Sequence, residues 1–306
     1  MRQQGIRRAI RHVITYYAAR GVMYLLGTVP LHLTRRVSRW LGALAFGVAR
    51  RERTIAIAQL CTYTVIGSRR HIAQKLVRGV FDHLALSIVE LCLLMRDPNS
   101  QLRVSIPPES KNALEEALAK QRGVIFVTGH IGNWELMAIA LARAGYPIHT
   151  VARKSYDDRF TQLLSRQRSR FGVHPVYRES EGSTAKLLRV LKQGGILGML
   201  IDQDTRVSSV FVPFFGADAH TPSGAAAFAV RTDTPVVVGT IKRTRHGFHR
   251  LNILPVSLPN DVTLATAVLT RELERRIRTQ MSQWVWFHQR WKTKRLAGTE
   301  AKEAFY

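Results

Sequence analysis

Apolar and polar positions follow two different periods along this chain. In its centre, short apolar runs at residues 124–127, 148–152 and 196–201 alternate with longer stretches whose apolar residues recur at helical spacing. Regular alternation of strands and helices is typical of a parallel sheet covered by helices. The pattern therefore predicts an α/β fold with a mostly parallel central sheet flanked by helices.

The same spacing places the individual elements. The longest predicted helix spans residues 68–95, where a wide apolar face repeats every three to four positions. The other predicted helices lie at 114–119, 136–144, 158–170, 183–192, 225–231 and 263–286, and the other strands at 173–177, 235–243 and 249–254. No internal repeat or low-complexity segment interrupts this order.

The N-terminal region has a basic and amphipathic pattern. Residues 1–51 contain ten arginines and neither lysine nor acidic residues. Apolar residues share one helical face there, namely Ile6, Ile10, Val13, Ile14 and Tyr17. This pattern is typical of a helix that lies on an anionic bilayer, while an ordinary amphipathic helix packed on the protein is the alternative.

Neither later apolar stretch of the N-terminal region, at 21–33 and 41–48, reaches the ~20 residues that a spanning helix needs. Nothing resembles a cleavage site after a clean apolar core, which disfavours a signal peptide. We therefore predict an interfacial anchor, which a re-entrant or tilted helix would also provide.

The charge is strongly positive, with 46 Lys and Arg against 21 Asp and Glu and a formal net charge of +25. Such a surface attracts anionic lipids, nucleic acid or acidic proteins, and composition alone does not choose among them. The chain has no zinc-finger spacing, phosphate-binding glycine pattern or base-stacking aromatic strands, so a nucleic-acid partner is disfavoured. Cys61 and Cys92 are too few for a disulfide framework and are interpreted as reduced packing residues.

The best candidate for chemistry is the strand-to-helix junction at residues 124–135, where His130 and Glu135 are separated by four residues. Within one helix these side chains would point ~140° apart, so His130 must precede the helix. A carboxylate in the first helical turn can then accept the second imidazole N–H, which leaves one nitrogen free as a base. Asn133 and the first helical amides are candidate donors to an oxyanion. A capping or packing histidine is the alternative.

The segment Gly-His-Ile-Gly-Asn-Trp-Glu at 129–135 resembles the signature of the lipid A biosynthesis acyltransferases of lauroyl and myristoyl transferase type. That family lies within the lysophospholipid and glycerolipid acyltransferase superfamily, which shares a histidine, a four-residue gap and an acidic residue. The resemblance continues in order through residues 151–153, 201–204, 211–216, 221–222 and 283–294, and it covers about residues 20 to 295. Three residues depart from the family's pattern, namely Gln203, Gln289 and Trp291. None of them belongs to the proposed pair of His130 and Glu135.

The resemblance implies an O-acyltransferase at the cytoplasmic face of the bacterial inner membrane. The implied donor is an acyl carrier protein thioester, and the implied acceptor is a hydroxyl of a lipid A precursor, a phosphorylated glycolipid. No cofactor or metal is implied. We predict membrane-associating helices in residues 1–50, a catalytic domain in 51–298 and a tail in 299–306. No Gly-x-Ser-x-Gly elbow occurs and no cysteine lies near His130, which favours direct transfer over an acyl-enzyme.

Several arginines are candidates for substrate binding. Arg153 follows a strand, as His130 does, and the resemblance favours it as a bidentate clamp on an acceptor phosphate over a solvated surface residue. Arg166 and Arg168 fall where the family is rich in arginine. With Arg170 they sit two positions apart and point to different faces of their predicted helix, so at least one of the three belongs to the surface.

Asp202 and Asp204 end an apolar strand and are predicted to partner an arginine or an acceptor hydroxyl in the cleft. Capping of the next turn and a metal pair are the alternatives, and the metal pair lacks a neighbouring His or Glu at ligand spacing. Phe211 to Phe215 line either an acyl groove or the core. The other histidines without catalytic spacing are interpreted as structural or surface residues: His174, His220, His246, His249 and His288.

The sequence is compatible with two other functions. The same dyad can serve an acyltransferase that uses acyl-CoA and another glycolipid or a lysophospholipid. A non-catalytic basic protein that binds membrane or nucleic acid predicts binding that survives loss of His130 and Glu135 and weakens steeply with salt. No recognisable sequence pattern specifies the length of the acyl chain, the position of the acceptor hydroxyl or the oligomeric state.

Overall fold

The computed structural model describes residues 2–100, 102–155, 157–244 and 247–295, with side chains from residue 13 onward. Helices in these parts are α1 (Arg2–Gly27), α2 (Thr34–Val48), α3 (Arg50–Tyr63), α4 (Arg70–Arg96), α5 (Pro108–Leu118), α6 (Trp134–Arg143), α7 (Asp158–Arg170), α8 (Ser183–Lys192), α9 (Gly224–Thr232) and α10 (Val262–Thr279). Strands are β1 (Val104–Ser105), β2 (Val124–Thr128), β3 (Ile148–Ala152), β4 (His174–Tyr177), β5 (Ile196–Leu200), β6 (Ser209–Phe214), β7 (Ala217–Pro222), β8 (Val236–Arg243) and β9 (His249–Val256).

Seven of these strands form one sheet in the order β1-β9-β8-β2-β5-β3-β4. All neighbouring pairs are parallel except the β8–β9 hairpin. The predicted α/β fold with a mostly parallel sheet is therefore confirmed. The sequence pattern did not predict β6 and β7, which form a separate antiparallel hairpin across a turn at Phe215 and Gly216.

Both faces of the central sheet are buried, which explains the continuous apolar runs of its strands. Val124 and Phe126 of β2 face a core that includes α5 and α6, whereas Ile125 and Val127 face a core that includes α8, α9 and α10. Because β2, β3, β4 and β5 pair in parallel, their carboxyl ends lie along one edge of the sheet. Polar residues that follow these strands are thereby brought together.

The last part of the chain differs from the prediction. Helix α10 ends at Thr279, and a 3-10 turn at Met281–Gln283 leads into extended chain, so the predicted helix over 263–286 is too long. Trp284 instead pairs with Ile131 in an isolated antiparallel bridge. Its indole, with those of Trp286 and Trp291, packs in an aromatic core against β6 and β7. Tertiary packing of these aromatic rings overrides the helical spacing.

Helices α1 and α2 pack along α4. Val13, Ile14 and Tyr17 are exposed, and the side chains of Ile6 and Ile10 lie outside the described residues. Across the described ranges, no helix has both the length and the apolar character of a membrane span. The predicted tail at 299–306 and His246 also fall outside the described residues.

Candidate active site

His130 lies in the turn between β2 and α6, and two glycines let this turn form. A Cβ at Gly129 would lie 2.8 Å from Cγ of Asp202. Gly132 has a φ of +65°, and a Cβ there would lie 1.8 Å from the carbonyl oxygen of Ile241. Only glycine satisfies both requirements, so these residues are needed for the close approach of His130 to its neighbours.

The partner of the His130 imidazole is Asp202, which follows the adjacent strand β5. Nδ1 of His130 lies 2.8 Å from Oδ1 of Asp202, while Oδ2 accepts the backbone N–H of His130 at 2.6 Å and the Trp284 indole N–H at 2.8 Å. Burial raises the pKa of Asp202, but the charge of His130 and these hydrogen bonds outweigh it and hold the pKa at about 2. The ionised carboxylate thus accepts from Nδ1–H, which leaves Nε2 as the basic nitrogen.

Glu135 is not the partner of His130, contrary to the sequence prediction. Its carboxylate accepts two hydrogen bonds from Arg168, one of them from Nε at 3.0 Å. Within the described residues, no hydrogen bond joins Glu135 to the imidazole. Because β2 and β5 are adjacent parallel strands, Asp202 arrives beside Nδ1 and takes the place expected for Glu135.

Asn133 has a structural position instead of the predicted oxyanion contact. Its side-chain oxygen caps α6 by accepting the N–H of Leu136 at 3.2 Å, and its amide donates to Oε2 of Glu90 at 2.9 Å. Glu90 also binds Arg243 and His249 in the buried interior. Burial raises the pKa of Glu90, but these hydrogen bonds and charges lower it to about 2. Asn133 therefore ties the His130 turn to a buried ionic network.

His130 opens onto a cavity of about 700 Å³ at the carboxyl edge of the sheet. The polar residues at its mouth include Glu135, Arg153, Arg168 and Arg178. Apolar side chains line its inner walls, among them Phe126, Met137, Leu141, Ile148, Leu187, Ile196 and Met199. The cavity thus combines a basic entrance with an apolar interior beside a positioned histidine.

Two arginines at this mouth share one carboxylate. Arg153 lies 3.8 Å and Arg178 3.1 Å from Oε1 of Glu179, so this group has a net positive charge. Arg153 was predicted from the sequence, and Arg178 was not. Arg178 directly follows β4 as Arg153 follows β3, and this position after a strand was the signal that could have found it.

Four other predicted residues are not part of the cavity lining. Arg166 is exposed on α7. Asp204 is buried, accepts the N–H of Thr293 at 2.9 Å and lies 3.1 Å from Nδ1 of His220, so it anchors the C-terminal segment. Phe214 and Phe215 belong to the aromatic core, which is the second of the two places predicted for this segment.

The other predicted histidines in the described residues do not line the cavity. Nε2 of His288 accepts the N–H of Asp204 at 3.0 Å, and burial lowers the pKa of this histidine. His249 is fully buried beside Glu90, and His174 lies in the edge strand β4. In the part of the chain that the structure describes, no three His, Cys, Asp or Glu side chains are grouped to hold a metal ion.

Comparison with known proteins agrees with the motif. Residues 3–293 match the family described as bacterial lipid A biosynthesis acyltransferase. The chain is 24% identical over 291 residues to the lipid A biosynthesis palmitoleoyltransferase of Escherichia coli (strain K12), covering 93% of this chain and 92% of the relative. The lipid A biosynthesis acyltransferase of Shigella flexneri has the same identity and coverage. The lauroyltransferase of Escherichia coli (strain K12) is 22% identical over 284 residues, 90% of each chain. The chain is an acyltransferase and belongs to the bacterial lipid A biosynthesis acyltransferase family.

Proposed function

We propose that this protein transfers a fatty acyl chain from an acyl carrier protein thioester to a hydroxyl of a lipid A precursor. The observation that carries the proposal is the His130–Asp202 pair at the mouth of a cavity with a basic rim and an apolar interior. A base next to a basic rim suits an acceptor that carries both a hydroxyl and a phosphate. The apolar interior suits the acyl chain.

In this mechanism, Nε2 of His130 removes the acceptor hydroxyl proton as the oxygen attacks the thioester carbonyl carbon. The C–S bond then breaks, and the departing thiolate takes the proton from the imidazolium. Asp202 keeps the imidazole in the productive tautomer and stabilises its positive charge. With Asn133 committed to its cap, the first amides of α6 are the proposed donors to the oxyanion.

Direct transfer to the acceptor is favoured over an acyl-cysteine intermediate. Cys92 lies in α4 and packs in the interior, where burial raises the pKa of its thiol to about 11. A thiol with such a pKa is protonated at neutral pH and is a poor nucleophile. Cys61, in α3, is not among the residues that line the cavity.

The arginines of the mouth have separate proposed roles. Arg153 and Arg178 bind an acceptor phosphate in competition with Glu179. Arg168 is held by Glu135, so we assign Glu135 to the positioning of this arginine beside the reacting groups. Arg166 points outward from α7, where it suits an acidic carrier protein as donor.

The decisive assay offers the purified enzyme acyl carrier protein and coenzyme A thioesters with the same acyl chain, together with a phosphorylated disaccharide lipid A precursor. We expect the carrier-protein donor to be preferred, and mass spectrometry to find a new ester on the acceptor. Preference for the coenzyme A thioester, or for a lysophospholipid acceptor, would contradict this proposal. It would favour instead an acyltransferase that uses acyl-CoA and another glycolipid or a lysophospholipid. Absence of transfer with every donor and acceptor would contradict both.

We also propose that α1 and α2 attach the enzyme to the cytoplasmic face of the bacterial inner membrane. Trp40, Leu44 and Val48 recur every four residues on α2 and are 65%, 52% and 74% exposed. The neighbouring Arg36 and Arg39 are exposed as well. An apolar ridge with a basic rim suits an anionic bilayer.

The location of α1 connects this attachment to the active site. Tyr16 of α1 packs edge-on against Phe160 of α7, with ring centroids 5.3 Å apart. Leu164 and Arg168, further along α7, line the cavity. A bilayer that contacts α1 would therefore lie close to the mouth, where a lipid acceptor enters.

Replacing Trp40 or Leu44 with serine is expected to weaken binding to phosphatidylglycerol vesicles by about tenfold or more, since burying such a side chain contributes roughly 1.5 to 3 kcal/mol. Sedimentation with vesicles measures the effect. The matched control is Leu264→Ser, which alters an exposed leucine on α10. Equal binding by the α2 variants and this control would contradict the proposed surface. Brominated lipids quench the fluorescence of tryptophans that contact the bilayer. They should therefore quench the fluorescence of the wild type more than that of Trp40→Phe.

A further inference from the structure

The cavity extends along both faces of the central sheet and so has two lobes, one beside each buried apolar cluster. Successive residues of a strand point to opposite faces, so the lining residues of β5 divide between the lobes, whereas those of β2, Phe126 and Thr128, both lie on the α6 face. The lobe under α6 is walled by Phe126, Met137, Leu141 and Ile196, which belong to one buried apolar cluster. The lobe near α8 and α9 includes the hydroxyl-bearing Thr184 and Ser208. Hydroxyl groups also line the first lobe, at Thr128 and Thr150, so the shape of the sheet surface and not the polarity distinguishes the two lobes.

Strand register places three rows of residues along the wall of the α6 lobe. Thr128 lies opposite Leu200, Phe126 opposite Gly198, and Val124 opposite Ile196. On the other side of β5, Gly198 pairs with Thr150 and Ile196 pairs with Ile148. The row of Phe126, Gly198 and Thr150 therefore lacks a side chain at its centre. Gly198 leaves an open path there between the Leu200 row at the carboxyl edge and the Ile196 row below it.

This path runs from the catalytic edge into the protein. Leu200 lies at the same edge as His130, and Ile196 lies four residues deeper, or about 13 Å at the usual strand rise. Ile148 and Ile196 are buried and close the path below. Thr150 presents its methyl group to the path, because its Cγ2 is the atom that a Cβ at Gly198 would meet at 3.6 Å. The dimensions and the apolar walls fit one extended hydrocarbon chain.

We propose that the α6 lobe binds the donor's acyl chain and that Gly198 determines how long a chain it accepts. This proposal rests on the acyl transfer proposed above and adds the site and the residue that select the chain. With the thioester carbonyl beside His130, the chain descends past Gly198 and its terminal methyl approaches Ile148 and Ile196. A side chain at position 198 would close the path at the middle row.

Gly198 has room for the Cβ atom of a larger residue. A Cβ there would lie 3.4 Å from the carbonyl oxygen of His149 and 3.6 Å from Cγ2 of Thr150, which are ordinary contacts. Valine also favours the strand conformation that Gly198 adopts in β5. Gly198→Val is therefore expected to fold and to shorten the lobe, and Gly198→Ala is the milder member of the series.

The experiment compares kcat/KM for decanoyl, dodecanoyl, tetradecanoyl and hexadecanoyl thioesters of the donor that the wild type uses. Gly198→Val is expected to shift the preference toward shorter chains, with a loss of about tenfold or more for each methylene that no longer fits. Gly198→Ala should shift it less. Ile148→Val, which removes a methyl group from the floor, should shift the preference toward longer chains.

Gly224→Val is the matched control, because Gly224 lines the other lobe and a Cβ there would meet only Cε of Met199 at 3.5 Å. An unchanged chain-length profile in folded Gly198→Val and Gly198→Ala would overturn the proposal, as would an equal loss with every chain length. A shift caused by Gly224→Val alone would place the chain on the opposite face and overturn it as well. Failure of the wild type to transfer any chain would instead contradict the proposed function itself.

Discussion

Replacing His130 with alanine is expected to lower the turnover number for acyl transfer by about 10²- to 10⁴-fold, the usual contribution of a positioned histidine base. The imidazole faces the cavity through Nε2, so its removal deletes the group proposed to take the acceptor proton. The fold should persist, because the Trp284 indole still donates to the Asp202 carboxylate. Initial rates measured by mass spectrometry at saturating donor and acceptor give the change.

His220 provides a closely matched control. Its Nδ1 lies 3.1 Å from Asp204, against 2.8 Å between His130 and Asp202, and the two imidazoles are 21% and 24% exposed. His220 does not line the cavity. His220→Ala should therefore retain turnover within a few-fold of the wild type. If both alanine variants lost activity equally, or if His130→Ala stayed active, the assignment of His130 as the base would be wrong.

The central fold could be predicted because its strands are short, apolar and separated by helices of regular spacing. β3, α7 and α8 begin and end at the predicted residues, Ile148–Ala152, Asp158–Arg170 and Ser183–Lys192. These elements are governed by local periodicity. The β6–β7 hairpin was missed because its residues do not form a strong apolar alternation, and its packing depends on the aromatic rings of the distant C-terminal segment.

The candidate site could be located from the sequence, but its pairing could not. His130 and Glu135 are close along the chain, which made their contact the natural prediction. The actual partner, Asp202, lies 72 positions away and becomes a neighbour only because β2 and β5 pair in parallel. Strand order is a property of the whole sheet, and no local pattern specifies it. Arg168 reaches Glu135 for the same kind of reason, across the contact of α7 with α6.

The structure gives Asp202 and Glu135 different proposed tasks, and a substitution at Asp202 separates them. Asp202→Asn is expected to lower kcat by roughly 10²- to 10⁴-fold, because a neutral amide neither holds Nδ1–H in place nor stabilises the imidazolium. KM should change little, since Asp202 is buried behind His130 and is not among the cavity-lining residues. Glu135→Gln should instead raise KM for the acceptor, because it loosens Arg168 at the mouth.

Asp204→Asn distinguishes this catalytic effect from simple damage to the fold. Asp202 and Asp204 are both buried, and both accept hydrogen bonds from a histidine partner and from a backbone N–H. Each asparagine leaves a buried hydrogen-bonding group poorly paired, so both variants should lose about 1 to 3 kcal/mol of unfolding free energy. Chemical denaturation measures this loss. Fixed-time assays of acyl transfer, corrected for the folded fraction, measure kcat. Of the two aspartates, only Asp202 contacts the His130 imidazole. A similar loss of stability in both variants, with a fall in kcat confined to Asp202→Asn, would identify Asp202 as the residue that orients the base. Equal kcat values in the two variants would contradict that role.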